Sequence, residues 1–299
     1  MKEIVIVSGK GGTGKTSLTA SFAALCMGKA VFADCDVDAA DIHLILNPDI
    51  KKRTAFKSGH KAVIRRSQCI GCGGCLSWCR FGAVLRQDIE KGEFLFTIDP
   101  VACEGCGVCV RFCPIQAIDF AEPACGEWYI SDTRFGPLVH ARLGVGAENS
   151  GKLVTLVRNE AKGVTHEKGA EYLLIDGAPG IGCPVIASLI AADLAIIVTE
   201  PTVSGDHDLR RIVQLTKQLG TPAMICINKW DINPDAANTI RQFAEKAGVP
   251  VVGVIRYDKA ATDSQRVGKA VVEHRQGGMA DDIRAVWENI TSRINNTPE

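Results

Sequence analysis

The sequence lacks net charge, and it lacks any long hydrophobic run. Its 34 Lys and Arg residues balance 34 Asp and Glu residues in a chain of 299. This balance argues against a protein devoted to nucleic acid, which would need a basic surface. No stretch approaches the roughly 20 apolar residues of a membrane span, and no signal peptide precedes the first predicted strand. We therefore expect a cytoplasmic protein that binds neither nucleic acid nor membrane.

Cysteine, by contrast, is abundant. The chain has 13 cysteines, and a reducing compartment disfavours disulfides as their use. Eight of them form two copies of one spacing, in CIGCGGCLSWC (69–79) and CEGCGVCVRFC (103–113), so metal binding is the leading interpretation. The other five are interpreted as core residues, as free cysteines often are: Cys26, Cys35, Cys125, Cys183 and Cys226. A redox or transient metal role stays open for Cys35 and Cys183.

Apolar runs that alternate with helical patterns predict an α/β fold. Residues 2–7 and 30–34 are short apolar runs separated by a glycine-rich turn and a helical pattern from Lys15 to about Met27. This βαβ order predicts a mostly parallel sheet flanked by helices. Later apolar runs repeat the pattern and are expected to complete the sheet at 172–175, 194–198, 224–227 and 251–255.

A phosphate-binding loop is predicted after the first strand. The stretch GKGGTGKT fits G-x-x-x-x-G-K-[ST] between a strand and a helix, which is the context that the motif needs. Lys15 is expected to reach the β- and γ-phosphates, and Thr16 to ligate Mg²⁺. The alternative is a glycine-rich turn without a ligand. The predicted nucleotide contacts are Gly9, Gly11, Gly12, Thr13, Gly14, Lys15, Thr16 and Ser17.

A second lysine in this loop, Lys10, is typical of the deviant loop of MinD/ParA-class ATPases. The sequence resembles that class from Met1 to about Asp41 and again from about Lys152 onward. The resemblance implies that Lys10 reaches across a nucleotide-dependent homodimer to the partner's phosphates, so that Lys10 and Lys15 both act in catalysis. A solvated loop lysine is the alternative interpretation of Lys10.

Two acidic segments resemble the switches of the same class. In DCDVD, the resemblance assigns Asp36 to the positioning of the attacking water, with Asp38 and Asp41 as other choices. In DGAPG, it implies that Asp176 holds Mg²⁺ and that the Gly180 N–H senses the γ-phosphate. A helix cap or a turn is the alternative role for each aspartate.

The stretch NKWD bears on which base is bound. It matches N-K-x-D, the guanine-reading pattern of GTPases, in which the aspartate accepts hydrogen bonds from guanine. In the class that this chain resembles, the asparagine commonly contacts adenine. We therefore expect ATP, with GTP as the alternative, and take Asn228 and Asp231 as the candidate base contacts.

Each cysteine run has the spacing C-x2-C-x2-C-x3-C of bacterial two-cluster ferredoxins, in which the fourth cysteine ligates the other cluster. We therefore predict two [4Fe–4S] clusters. Zinc is the alternative, because four-cysteine sites also bind it. The second run ends in Cys-Pro as the pattern prefers, whereas the first ends in Cys-Arg. One predicted ligand set is Cys69, Cys72, Cys75 and Cys113, and the other is Cys79, Cys103, Cys106 and Cys109.

The cysteine runs lie in a region that is rich in glycine and poor in helical periodicity. We interpret residues 49–124 as an inserted, bacterial-ferredoxin-like α+β module within a P-loop ATPase domain formed by 1–48 and 125–299. The module opens with a basic stretch, 51–66, that has seven Lys and Arg residues and no acid. This stretch suits an acidic flavodoxin or ferredoxin, or is simply a solvated hairpin.

Together these parts resemble MinD-superfamily ATPases with an inserted ferredoxin domain, a likeness carried also by IDGAPGIGCPV and VTEPTVSGDHDL. The leading hypothesis is an ATPase that couples ATP binding, hydrolysis and dimer switching to electron transfer, with a ferredoxin, flavodoxin or oxidoreductase as redox partner. The alternatives are cluster assembly or delivery, and MinD/ParA-like positioning. No C-x-x-C pair follows Cys183, and the C-terminal segment lacks a basic amphipathic membrane helix. These absences count against the two alternatives.

Overall fold

The computed structural model describes residues 1–89, 94–144 and 150–295. Residues 90–93 of the predicted insertion lie outside this part, as do 145–149 and 296–299 of the predicted second ATPase segment. The described chain divides into two compact units. The larger unit comprises Met1–Thr54, Glu127–Leu143 and the chain from Ser150 onward, and the smaller comprises Ala55–Gly126 and Gly144.

Strands and helices alternate along most of the chain. The strands are β1 (Lys2–Ser8), β2 (Ala30–Asp34), β3 (Asp49–Lys57), β4 (Lys61–Ile64), β5 (Val84–Asp88), β6 (Phe94–Ile98), β7 (Ile118–Ala121), β8 (Ala124–Thr133), β9 (Gly136–Leu143), β10 (Tyr172–Pro179), β11 (Leu194–Thr199), β12 (Ala223–Asn228) and β13 (Val251–Ile255). The helices are α1 (Lys15–Leu25), α2 (Ile42–Leu46), α3 (Gly74–Trp78), α4 (Val108–Arg111), α5 (Ser150–Lys168), α6 (Cys183–Leu189), α7 (Val203–Leu219), α8 (Pro234–Ala247), α9 (Ala260–Arg266), α10 (Val271–His274) and α11 (Met279–Asn295).

A nine-stranded sheet forms the centre of the larger unit, in the order β13-β12-β11-β1-β10-β2-β9-β8-β3. The central strand β1 pairs in parallel with both β10 and β11. Its residues 4–7 are fully buried, as expected for a parallel strand that is covered on both faces. The predicted α/β class with a mostly parallel sheet is confirmed, whereas the ferredoxin-like nature of the insertion stays a prediction.

Helices pack on the sheet through their apolar faces. The local sequence determines where each helix begins and ends. Helix α7 begins after Thr202, whose side chain accepts a hydrogen bond from the Gly205 N–H, and ends at Gly220 in the left-handed region. Helix α11 buries Trp287, whose ring lies 5.0 Å from that of Phe22 on α1. Helix α1 itself ends at Leu25, two residues before the predicted end. No helix in the described ranges is both long enough and apolar enough to span a membrane.

The smaller unit has little regular structure and a small core. Two antiparallel pairs, β4 with β7 and β5 with β6, accompany the short helices α3 and α4. Its buried hydrophobic cluster consists of Ala62, Ala83, Cys103 and Ile118. Units of this size with so few buried side chains usually need a further staple, such as disulfides or metal.

Candidate functional site

The predicted phosphate loop lies at the carboxyl edge of the sheet, between β1 and α1. Its last glycine, Gly14, precedes α1 with φ 91°, a conformation that favours glycine. A Cβ atom at this position would lie 2.4 Å from Nδ2 of Asn228. The loop therefore requires glycine here for both backbone conformation and space.

Lys15 and Thr16, at the start of α1, meet Asp176 of β10. The Lys15 ammonium donates to Asp176 Oδ1 at 2.9 Å, and the Thr16 hydroxyl donates to Oδ2 at 2.8 Å. Thr19, one turn along α1, donates to Oδ1 at 3.0 Å. Lys15 and Asp176 are both buried. Three residues predicted separately from two motifs are thus brought into one hydrogen-bonded group.

A second carboxylate, Asp36, lies beside the same lysine. Its Oδ2 is 3.5 Å from Lys15 Nζ, and burial raises the pKa of the Asp36 carboxyl, against the opposing effect of Lys15. Sequence reasoning missed Asp34, which is fully buried and pairs in register with Asp176. Burial and then Asp176 raise the pKa of Asp34 well above its usual value. Asp34 could have been recognised in the sequence as a site residue, because it ends a buried strand.

Lys10 contacts its own chain in this structure. Its ammonium lies 2.5 Å from Glu200 Oε1 and donates to Ser204 Oγ at 2.9 Å. Glu200 also pairs with Lys229 at 2.9 Å, and although burial acts in the other direction, these lysines lower the pKa of Glu200. Lys229 in turn donates to the Gly12 carbonyl at 3.1 Å. Sequence reasoning missed Glu200, although it lies in the quoted stretch VTEPTVSGDHDL.

Three residues predicted to contact the nucleotide make internal contacts instead. The Gly180 N–H donates to the Ser8 carbonyl at 2.8 Å, and the Asn228 amide donates to the Thr13 carbonyl at 2.7 Å. Asp231 accepts from the backbone N–H of Tyr257 at 2.7 Å. In the described state, Asn228 holds the phosphate loop and Asp231 holds the chain after β13. Their contacts with a base stay a prediction.

These groups open into a cleft of about 510 Å³, within the usual range for small-ligand sites. The phosphate loop, Asp36 and Pro179 form one part of its lining, and Leu44 and Ile45 of α2 add apolar surface. Gln265 of α9 also lines the cleft and donates to Ser17 Oγ at 2.8 Å. Gln265 belongs to no recognised motif, so sequence reasoning had no signal for it.

In the smaller unit, the eight repeat cysteines line two separate recesses, four in each. The side chains around one recess include Cys69, Cys72, Cys75 and Cys113. Those around the other include Cys79, Cys103, Cys106 and Cys109. The fourth cysteine of each run thus lies with the first three of the other run. The two groups coincide with the two predicted ligand sets.

Backbone geometry around the recesses suits sulfur ligands. The Ala117 N–H donates to Cys113 Sγ at 3.3 Å. Burial alone would raise the pKa of Cys79, but backbone N–H groups of residues 81–84 lower it. Gly73 and Gly107, with φ 71° and 73°, precede α3 and α4 and allow the tight turns between cysteines. Within the described ranges, however, no three His, Cys, Asp or Glu side chains form a group that could hold a single metal ion.

The five remaining cysteines differ in exposure. Cys26, Cys35 and Cys226 are buried, in agreement with their interpretation as core residues. Cys125 is half-buried. The core interpretation is wrong for Cys183, which begins the short helix α6 and is exposed.

A glycine-rich loop between the central parallel strand and α1, with a buried Lys–Asp pair beneath it, defines a P-loop nucleotide-binding domain. Residues 4–271 match the family described as the CobQ/CobB/MinD/ParA nucleotide binding domain, and the chain belongs to this family. Like the MinD and ParA proteins of the family, it is an ATPase.

The chain is also similar to individual proteins and solved structures. An uncharacterized protein of Methanocaldococcus jannaschii is 36% identical over 234 residues, which cover 77% of this chain and 79% of that protein. An iron-sulfur cluster carrier protein of Pyrococcus abyssi is 26% identical over 156 residues, covering 48% and 53%. The septum site-determining protein MinD of Pyrococcus horikoshii, solved with Mg-ADP, has a TM-score of 0.58 at 18% identity, covering 97% and 95%. That last likeness concerns the fold alone.

Proposed function

We propose that this ATPase couples ATP binding, hydrolysis and dimer switching to electron transfer through two [4Fe–4S] clusters. The observation that carries the proposal is the grouping of the eight repeat cysteines in two crossed sets of four, in the same chain as the Lys15–Asp176 cleft. Crossed sets are the ligand pattern of two-cluster ferredoxins. A single four-cysteine zinc site would not require a fourth ligand from the other run.

In the nucleotide cleft, the proposed roles follow from the contacts. The loop N–H groups and the N-terminus of α1 would bind the phosphates, and the Lys15 ammonium would exchange Asp176 for phosphate oxygens. Asp176 and the Thr16 hydroxyl, already 2.8 Å apart, would then be available to Mg²⁺. Asp36, beside Lys15, would orient the attacking water.

In the smaller unit, the two crossed sets would hold one cluster each. A [4Fe–4S] cluster supplies one-electron redox chemistry, and hydrogen bonds to its sulfurs tune its potential. The N–H groups near Cys79 and Cys113 would stabilise thiolate charge in this way. The small buried core of the unit also fits a fold that metal helps to stabilise.

Dimer formation is the proposed switch. The role that the family resemblance assigns to Lys10, contact with the partner's phosphates, requires Lys10 to leave Glu200 and Ser204 of its own chain. The state with Lys10 held internally would therefore be the monomeric state. ATP would favour the dimer only through its higher affinity for that state.

Anaerobic purification tests the proposal directly. We expect about eight iron atoms and about eight acid-labile sulfides per chain, with broad thiolate-to-iron absorption that dithionite bleaches. Stoichiometric zinc without labile sulfide would overturn the cluster assignment. An ATPase assay of the same sample checks the nucleotide site independently.

A second candidate function, cluster delivery, is favoured by the similarity to the Pyrococcus abyssi carrier protein. The two functions predict different fates of the iron. A delivery protein loses cluster to an apo-acceptor when ATP is added, whereas an electron carrier keeps it through repeated turnover. Iron analysis of the re-isolated chain after incubation with an apo-ferredoxin distinguishes them.

A further inference from the structure

An exposed aromatic pair adjoins the fourth cysteine of each run in the smaller unit. Trp78 and Phe112 stack with ring centroids 4.8 Å apart and planes 18° from parallel. Trp78 is 53% exposed and Phe112 52%. Each stands immediately before the fourth cysteine of its run, Cys79 or Cys113. The pair is therefore one residue from a member of each ligand set.

Half-exposed aromatics are costly to leave in water, and their grouping marks interaction surfaces. Phe81 and Ile115, which are also exposed, extend the apolar character of the two segments. Tryptophan and arginine are the residues most enriched at the energetic centres of interfaces. We call the surface formed by Trp78, Arg80, Arg111 and Phe112 the aromatic face.

The charge of the aromatic face is positive. Within the described ranges, neither the Arg80 nor the Arg111 side chain has an ion pair or hydrogen bond, and both residues are exposed. Glu104 is the one acid in the segments 69–82 and 103–117. Two unpaired arginines within two residues of Trp78 and Phe112 in the sequence suit a partner with carboxylates around an apolar patch.

The basic stretch at 51–66 offers less charge than its sequence predicts. Arg53 forms a two-pronged ion pair with Glu127, and Arg65 pairs with Asp119. Lys51 pairs with Asp49. Within the described ranges, the other four cations of the stretch have no ion pair: Lys52, Lys57, Lys61 and Arg66. The aromatic face differs from the stretch in combining its cations with two stacked, exposed rings.

We propose that the aromatic face is the docking surface for an acidic electron-transfer protein of the ferredoxin type. The inference rests on the proposed function, since the face would pass electrons to clusters held beside Cys79 and Cys113. One electron leaves the reduced partner's cluster and one cluster of this chain gains it, with no bond or proton transferred. Transient redox complexes use small interfaces.

The test is the association rate with an acidic plant-type ferredoxin, measured on the full chain at low ionic strength. Arg80→Glu combined with Arg111→Glu should lower the association rate constant at least about tenfold and flatten its salt dependence. Arg66→Glu is the matched control, because it reverses an exposed, unpaired arginine of the basic stretch in the same unit. It should leave the rate nearly unchanged.

The other outcomes overturn the proposal. If Arg66→Glu lowers the association rate constant as much as the Arg80→Glu and Arg111→Glu variant does, the attraction is unspecific. If only Arg66→Glu lowers the rate constant, docking takes place on the basic stretch. No binding of ferredoxin by the unaltered chain would exclude this partner class. Binding is measured whether or not clusters are present, so failure of the cluster assignment, detected by iron and sulfide analysis, is a separate result. Reduction by methyl viologen confirms that the variants keep their clusters.

Discussion

Lys15 is held by carboxylates on two sides. Burial alone would lower the pKa of Lys15, but Asp176 and Asp36 raise it, so the ammonium stays charged inside the unit. A buried charge pair is balanced only while both partners remain. Phosphate can replace the carboxylates around Lys15 because it carries the same sign of charge. The two carboxylates therefore keep Lys15 charged until an anion binds in their place.

Lys15→Ala should lower ATP affinity by at least about 30-fold, corresponding to ~2 kcal/mol or more for a truncated buried charge contact. Lys10→Ala should leave affinity nearly unchanged but remove hydrolysis and ATP-dependent dimerisation. The difference arises because Lys15 serves its own phosphates and Lys10 is assigned to the partner's. Equilibrium binding and analytical ultracentrifugation measure the two effects. Normal dimerisation of Lys10→Ala would contradict the role given to Lys10.

Glu200→Gln should raise the ATP-dependent dimer constant by about 30-fold, because each of the two chains gives up an ion pair worth ~1 kcal/mol near the surface. The substitution keeps the shape of Glu200 but removes the charge that holds Lys10 at 2.5 Å. Sedimentation with a slowly hydrolysed ATP analogue measures the dimer constant. Glu273→Gln, which removes the charge facing Arg134, is the matched control. A weaker dimer in Glu200→Gln would show that Glu200 supports the closed state instead.

At the scale of elements, β9 brings a buried histidine against β8 and α2. The ring of His140 stacks on Tyr129 at 4.9 Å, its Nε2 lies 2.9 Å from Ser131 Oγ, and His43 of α2 is 6.5 Å away. Burial, and then His43, lower the pKa of His140 to about 4. The strands are thus packed around a neutral imidazole.

This histidine should make the larger unit sensitive to acid. The unfolded chain binds a proton at His140 below about pH 6.5, whereas the native chain binds it only near 4, so stability falls as pH drops through this window by at most ~3 kcal/mol. His140→Gln should flatten the dependence between pH 6.5 and 4.5 in urea unfolding. His166→Gln, an exposed histidine of α5, is the control and should leave the slope unchanged. An unaltered slope in His140→Gln would refute the assignment.

The two cysteine runs are elements that depend on each other. If the fourth ligand crosses over, Cys113→Ser should damage the cluster held by Cys69, Cys72 and Cys75 more than the one held by the rest of its own run. Cys79→Ser is the matched variant and should have the reverse effect. Electron paramagnetic resonance of the reduced variants distinguishes the two clusters. Damage confined to the run that carries the substitution would contradict the crossing.

At the scale of the whole molecule, the proposed coupling has a measurable size. Nucleotide and reduction must change each other's binding by the same factor, and a coupling of ~1–3 kcal/mol corresponds to roughly 40–130 mV for one electron. Mg-ATP, but not Mg-ADP, should shift at least one cluster potential by this amount. Asp36→Ala should keep the shift while stopping turnover. Redox titrations that superimpose in the apo, ADP and ATP states would show two independent functions in one chain.

The sequence predicted those parts in which a short motif follows a buried strand. The central strands and the Lys15, Thr16 and Asp176 group belong here, because parallel strands deliver their carboxyl ends to one edge. Strand β3 was not predicted, since its residues are mostly exposed and charged. The pairing of Lys10 with Glu200 was not predicted either, because it joins segments distant in the chain through tertiary packing alone. The two groups of cysteines that line the recesses match the groups predicted from the C-x2-C-x2-C-x3-C spacing. That spacing is a short motif, so it can be recognised in the sequence alone.

The position of β1 has a consequence for synthesis on the ribosome. Both neighbours of this first strand, β10 and β11, are translated only after residue 171. The nascent chain therefore carries an unpaired strand with an apolar centre at residues 4–7 while Ala55–Gly126 is already synthesised. Domains fold as their residues emerge, so, under the proposed cluster assignment, the cysteine unit would acquire iron before the ATPase core closes. Iron supply during translation, and protection of β1 by chaperones, should thus limit the yield of active protein.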